Sequence, residues 1–134
     1  MAARALVAAG VGRLTIIDPA PVGAGDPYFS GHYQSGDSGK NRAEVLVATL
    51  APTAHATKLQ AIAARPADVA ALKPQIQGAS LVLCCVESGE LNLALMLNIA
   101  CREASVPWIA ASLEGTELVV GPGFFQTDTG ACYM

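Results

Sequence analysis

The run SLVLCCVE, residues 80–87, reads as a buried strand with apolar side chains on both faces. Central strands of parallel sheets look like this because helices cover them on both sides. Downstream, Asn92 to Ala104 carries Leu93, Met96, Leu97 and Ala100 at helical spacing. Strand resumes in Val106-Pro107-Trp108-Ile109-Ala110 and again in ELVVGP (117–122), with GFF (123–125) as a further short piece. Upstream, Pro66 suits the first turn of a helix through Ala67–Leu72. Before it, TKLQAIA (57–63) alternates apolar and polar residues, as an outer strand does. Asn41 to Leu50 predicts a helix with Val45, Leu46 and Leu50 on one face and Pro52 as its stop. RLTIID (13–18) is a short β-branched run ending on Asp18, and residues 2–9 predict a helix stopped by Gly10 and Gly12. Between strand and helix, residues 19–39 form a long irregular loop rich in proline and glycine. Loops of that length are usually functional or mobile.

Strand and helix alternate through most of this order, which specifies βαβ units and a parallel sheet. The expected fold class is α/β, one domain over residues 1–134 with a Rossmann-like, mostly parallel sheet and flanking helices. In such a sheet a strand and a glycine turn precede the first helix, and that turn binds phosphate. This sequence starts within the helix, so the first strand and its glycine loop are expected to be lacking. Gly10-Val11-Gly12 does not replace them. It comes before a strand instead of after one, and no third glycine follows at the required spacing.

The 134 residues are 52% apolar and 14% charged, the composition of a folded domain with a core. A net charge of −3 gives no basic footprint, which argues against nucleic acid as a partner. No apolar run reaches the about 20 residues that span a bilayer, so no membrane association is expected. The opening MAARALVAAGVG lacks the charged region and long apolar stretch of a signal peptide. A cytoplasmic protein is the expectation. Adjacent Cys84 and Cys85 point to opposite faces of a strand and read, like Cys101, as reduced core residues.

Four side chains could carry chemistry. Asp18 stands at the carboxyl end of a strand, where an acid can accept hydrogen bonds from both ribose hydroxyls of a nucleotide. It can equally start a turn before Pro19. Lys40 and Arg42 begin the helix after the long loop. Cations there oppose the helix dipole unless an anion such as a triphosphate is near; solvated surface charges are the plainer alternative. Glu87 ends the strongest strand and could hold Mg²⁺ beside phosphates, or cap the next helix together with Ser88. His32 and His55 lie in polar contexts and read as surface residues.

As a set, these stretches resemble the ThiF/MoeB/HesA family of ubiquitin-activating-enzyme-like proteins. AARALVAAGVGRLTIIDPAPVGAGD (2–26) resembles that family's run from first helix through second strand, with Asp18 at the ribose-binding aspartate and Val22 at its valine. SGKNRAEVL (38–46) is similar to the Gly-x-Pro-Lys-x-Glu segment, with Gly39 at the glycine, Arg42 where the ATP-contacting lysine stands, and Glu44 following. SLVLCCVES (80–88) resembles the strand ending in Cys-Thr-Asp-Asn, which puts Glu87 on the Mg²⁺-linked aspartate. Asn98 and Cys101, then VPWIAAS (106–112) and Glu114-Gly115, follow in the family's order. TGACYM (129–134) resembles the start of a Cys-Tyr-x-Cys zinc motif, with Cys132 as the first ligand. The departures are specific. Phe29 or Ser30 falls where an arginine touches ATP phosphates, Arg42 (with Lys40 as substitute) replaces the lysine, and Glu87 replaces the aspartate. GPGFFQTDTGACYM (121–134) also resembles the branch found in azole- and azoline-forming peptide pathways. Members of that branch bind the leader of a ribosomal precursor peptide and present it to a cyclodehydratase.

The resemblance implies ATP-dependent adenylation of the carboxyl terminus of a small carrier protein or peptide, using ATP and Mg²⁺, with zinc in the complete protein. It also implies a homodimer, since relatives are commonly dimers. The departures suit instead a non-catalytic scaffold that binds a precursor peptide. A nicotinamide oxidoreductase also binds ribose at an acid such as Asp18. It ranks last, because SGKNRAE and CVES do not belong to that class.

Overall fold

The computed structural model describes residues 2–86 and 91–125. The chain divides into two compact units, Met1–Arg65 and Pro66–Met134. Each has its own sheet.

The first unit holds α1 (Ala2–Ala8), β1 (Arg13–Ile17), α2 (Asp26–Phe29), α3 (Arg42–Leu50) and β2 (Lys58–Ile62). Gly10, at φ 74, ends α1 in the left-handed conformation that glycine adopts without a Cβ penalty. β1 and β2 pair in parallel, from Arg13 opposite Lys58 to Ile17 opposite Ile62. A parallel pair needs a crossover, and α3 supplies it, burying Ala43, Val45 and Leu50. The long loop is less irregular than expected: it contains α2 and a 3-10 turn at Ser35–Asp37. His32 is not a surface residue but is buried. The reason is local: the Thr49 hydroxyl donates to the His32 main-chain carbonyl at 3.1 Å and holds the loop against α3. His55 is exposed, as expected.

The second unit holds α4 (Val69–Ile76), β3 (Val82–Cys84), α5 (Leu91–Ala104), β4 (Trp108–Glu114) and β5 (Glu117–Phe124). α4 starts at Val69, later than Pro66 suggests. The Asp68 carboxylate accepts from the Ala71 amide at 2.8 Å and fixes the helix start there, leaving Pro66 outside. β3 pairs in parallel with β4, with α5 as the crossover, and β4 turns back into antiparallel β5. Gly115, at φ 63, takes the first position of the two-residue turn between them, which tight hairpins require. The segments 117–122 and 123–125 are one strand. Between the pairs Ile109–Gly123 and Ala111–Val120, both Gly121 and Pro122 lie opposite Ala110, a bulge that accommodates a residue with no N–H to donate.

Leu72 and Ile76 of α4, Cys84 of β3, Leu97, Ala100 and Cys101 of α5, and Trp108 of β4 form the core of this unit. Trp108 stacks on its cross-strand partner Phe124 with centroids 4.6 Å apart. Cys85 differs from its expected place: strand alternation sends Cys84 inward and leaves Cys85 exposed. Among the described residues two of the three strand pairings are parallel, the α/β, Rossmann-like arrangement that the alternation specified. No described helix is long and apolar enough to cross a membrane.

Candidate functional site

The side chains of interest gather in the first unit where β1 ends and α3 begins. The half-buried Asp18 follows the last residue of β1 and stays tied to the sheet, its amide donating to Ile62 at 3.2 Å. Its Oδ1 accepts from the Ala20 amide at 2.8 Å, the turn expected of an aspartate before proline. Oδ2 accepts no hydrogen bond from any described residue.

Asn41 joins this strand end to the helix. Its Nδ2 donates to the main-chain carbonyls of Asp18 at 2.8 Å and Ala20 at 3.4 Å, and its Oδ1 caps α3 by accepting from the Glu44 amide at 3.1 Å. The ends of the long loop are zipped together around it. Val22 donates to Lys40 at 2.7 Å, Gly39 to Val22 at 2.9 Å and Arg42 to Ala20 at 2.9 Å. Gly39 sits at φ 82, where a Cβ would be strained.

Both cations at this helix start are already engaged. Arg42 donates from Nε and Nη2 to the two carboxylate oxygens of Asp26, each at 2.8 Å. Asp26 Oδ2 also accepts from the Gly23 amide at 2.8 Å. The Arg42 hydrogen bonds, then that from Gly23, hold the Asp26 carboxyl below its usual range, and the same pairing raises the Arg42 guanidinium. Lys40 Nζ lies 2.8 Å from Asp37 Oδ1, while Asp37 Oδ2 accepts from the Gln34 amide at 3.0 Å; Lys40 first and Gln34 second pull the Asp37 carboxyl down. Tyr33 completes the group. Burial, then the charge of Asp18, raises its phenol, and Arg42 and Asp26 act on it as well.

Sequence reasoning thus found Asp18, Lys40 and Arg42 and missed Asp26, Tyr33 and the linking role of Asn41. Asp26 and Arg42 are 16 residues apart, a separation that no helix or strand period brings together. The Asn-x-x-Glu pattern at 41–44 was the available signal for the cap. Phe29, one of the two residues at the place of the family's phosphate-contacting arginine, is 90% exposed and carries no charge. Glu87 and Cys132 lie outside the described residues. Among those residues no group of three or more His, Cys, Asp or Glu side chains could hold a metal ion.

A parallel βαβ unit with an acid at the end of its first strand defines a Rossmann-like α/β protein. The chain belongs to the ThiF family, whose model matches residues 1–134. Similar solved structures include E. coli MccB with succinimide, 25% identical with a TM-score of 0.84 over 97% of this chain and 38% of that one. E. coli MccB with ATP is 24% identical with a TM-score of 0.85 over 98% of this chain and 39% of that one. PaaA is 19% identical with a TM-score of 0.82 over 98% of this chain and 39% of that one. The chain therefore spans well under half the length of these proteins. No curated protein matches it.

Proposed function

We propose that this chain is the nucleotide-binding part of an ATP-dependent adenylating enzyme acting on the carboxyl terminus of a carrier protein or peptide. The observation that carries the reading is Asp18, a half-buried carboxylate at the end of a parallel strand with one oxygen bonded in its own turn and the other not hydrogen-bonded by any described residue. That oxygen fits a ribose hydroxyl. Arg42 and Lys40 are the cations for the phosphates, and they fit that role once Asp26 and Asp37 release them. Bound Mg-ATP would supply the adenylyl group and the pyrophosphate leaving group. The part of this chain is positioning and electrostatics: Asp18 fixes the sugar, and Arg42 offers a planar, bidentate donor to anionic oxygen. Glu87 for Mg²⁺, Cys132 for zinc, a cytoplasmic location and a homodimer complete the proposal on the strength of the resemblance.

The peptide partner draws support from MccB, a microcin C7 biosynthetic enzyme crystallised with N-formylated MccA. The deciding experiment is ATP–pyrophosphate exchange by the whole protein in the presence of its carboxyl-bearing partner. Exchange that Asp18→Ala abolishes is expected, and no exchange at all sinks the reading.

A second reading, a peptide-binding scaffold without adenylation, is favoured by one observation: both candidate phosphate cations are closed by aspartates of the same loop. It requires peptide affinity that ATP does not change. Peptide binding strictly dependent on ATP overturns it.

A further inference from the structure

The Arg42–Asp26 pair uses the Nε–Nη2 edge of the guanidinium, the edge that would meet two oxygens of a phosphate. The carboxylate occupies that edge in the same bidentate geometry. We propose that Asp26 is a built-in competitor for Arg42, so that a polyphosphate and the long loop exclude each other at this guanidinium. This rests on the nucleotide reading above and adds to it the residue that sets how tightly phosphate is held.

Three observations support competition. The pair is accessible to an incoming anion, with the Arg42 side chain 35% and the Asp26 side chain 20% exposed. Ion pairs so placed are worth little net energy, so a more highly charged anion can displace the carboxylate. Asp26 also links the cation to the loop, since its Oδ2 takes the Gly23 amide as well as Arg42. Losing Arg42 therefore removes this side-chain link between α2 and α3. An aspartate is ionised at neutral pH, and the Arg42 and Gly23 hydrogen bonds lower this carboxyl further, so the competition is in force under ordinary conditions.

The test uses the full chain and inorganic pyrophosphate as the probe, with adenosine beside it to read the sugar site separately. Asp26→Asn keeps one oxygen for the Gly23 amide and removes the charge. It is expected to bind pyrophosphate about tenfold more tightly than the unaltered chain, because a like charge and a competing ligand both disappear. Glu44→Gln removes a like charge from the exposed first turn of α3 while leaving both Arg42 and Lys40 engaged, and is expected to gain less. Asp26→Glu keeps the charge and should gain nothing. In the unaltered chain, saturating pyrophosphate is expected to shift the Arg42 Nε–H resonance and speed exchange of the Gly23 amide.

Four results overturn the proposal: Asp26→Asn binding no tighter, Asp26→Glu tightening equally, Glu44→Gln gaining as much, or an Arg42 resonance unmoved at saturation. If adenosine still binds in any of these cases, the nucleotide reading survives alone. If neither adenosine nor pyrophosphate binds any of the four proteins, both fall.

Discussion

Asn41 reaches across the chain to the end of β1, donating from Nδ2 to the Asp18 carbonyl at 2.8 Å while its own carbonyl oxygen caps α3. One side chain thereby ties Asp18 to the start of the helix that carries Arg42. Asn41→Ala loses the cap and leaves the Asp18 carbonyl without that donor. A lost cap costs about 1 kcal/mol, and a half-buried carbonyl left unbonded adds on the order of another. Asn41→Asp keeps the cap but not the donor, so its loss should be about half. Urea unfolding of the three proteins checks the order. Equal stability for Asn41→Asp and the unaltered chain would show that the link to Asp18 contributes nothing.

The single tryptophan makes the second unit readable by itself. Trp108 is buried and stacked on Phe124, and Leu72, Ile76, Cys84, Leu97, Ala100 and Cys101 belong to the same core. Trp108→Ala should cost about 3–5 kcal/mol, the range for emptying a large aromatic site. Phe124→Ala should cost less, since Phe124 is only half-buried, but it should shift the Trp108 emission as the stack is lost. Unchanged emission in Phe124→Ala would mean that the two rings do not stack in solution.

What the sequence made legible was whatever depends on neighbours in the chain. The α3 helix is marked at both ends, by Asn41 with Glu44 three residues on and by Pro52 past Leu50, and it forms within one residue of the expected bounds. α4 was misplaced at its start because two start signals compete within three residues. Pro66 merely tolerates a first turn, whereas the Asp68 carboxylate accepts from the otherwise unpaired Ala71 amide, and the capping bond wins. Of SLVLCCVE, the described residues 80–86 form strand at Val82–Cys84, where β3 pairs with Trp108–Ala110 of β4, because strand extent depends on a pairing partner and not on local hydrophobicity alone. In the candidate site, Asp18 was visible since position at a strand end is a local property. The Asp26–Arg42 pair was not, because it depends on how a proline- and glycine-rich loop folds back on α3.

Thiol reactivity offers a direct check on which way β3 faces. Burial raises the Cys84 thiol and pushes Cys101 up to about 11, so few of either are thiolate near neutral pH. Cys85, the residue after β3, is exposed. Brief alkylation at about pH 8, resolved by peptide mass spectrometry, should therefore modify Cys85 well before Cys84 or Cys101. The latter two should react only after denaturant opens the unit. Early labelling of Cys84 would mean that the strand presents its other face to the core.

His32 should make the stability of the first unit depend on pH. It is buried, its Nδ1 has no hydrogen-bond partner among the described residues, and burial, together with positive charge including that of Arg4, lowers its pKa from 6.5. In the fold the ring is thus neutral over a range where the unfolded chain has already taken up a proton. The unfolded state binds more protons there, so stability rises with pH. The contribution is complete above about 6.5 and is lost progressively as pH falls from there toward the lowered value. Unfolding measured between about pH 5 and 7.5 should take up as much as about one proton at the acid end. His32→Phe, which fills the site with a ring that cannot titrate, should flatten that slope, while His55→Gln, at an exposed position, serves as the comparison. A slope that survives in His32→Phe and vanishes in His55→Gln would place the titration at the surface and show that the His32 ring reaches water.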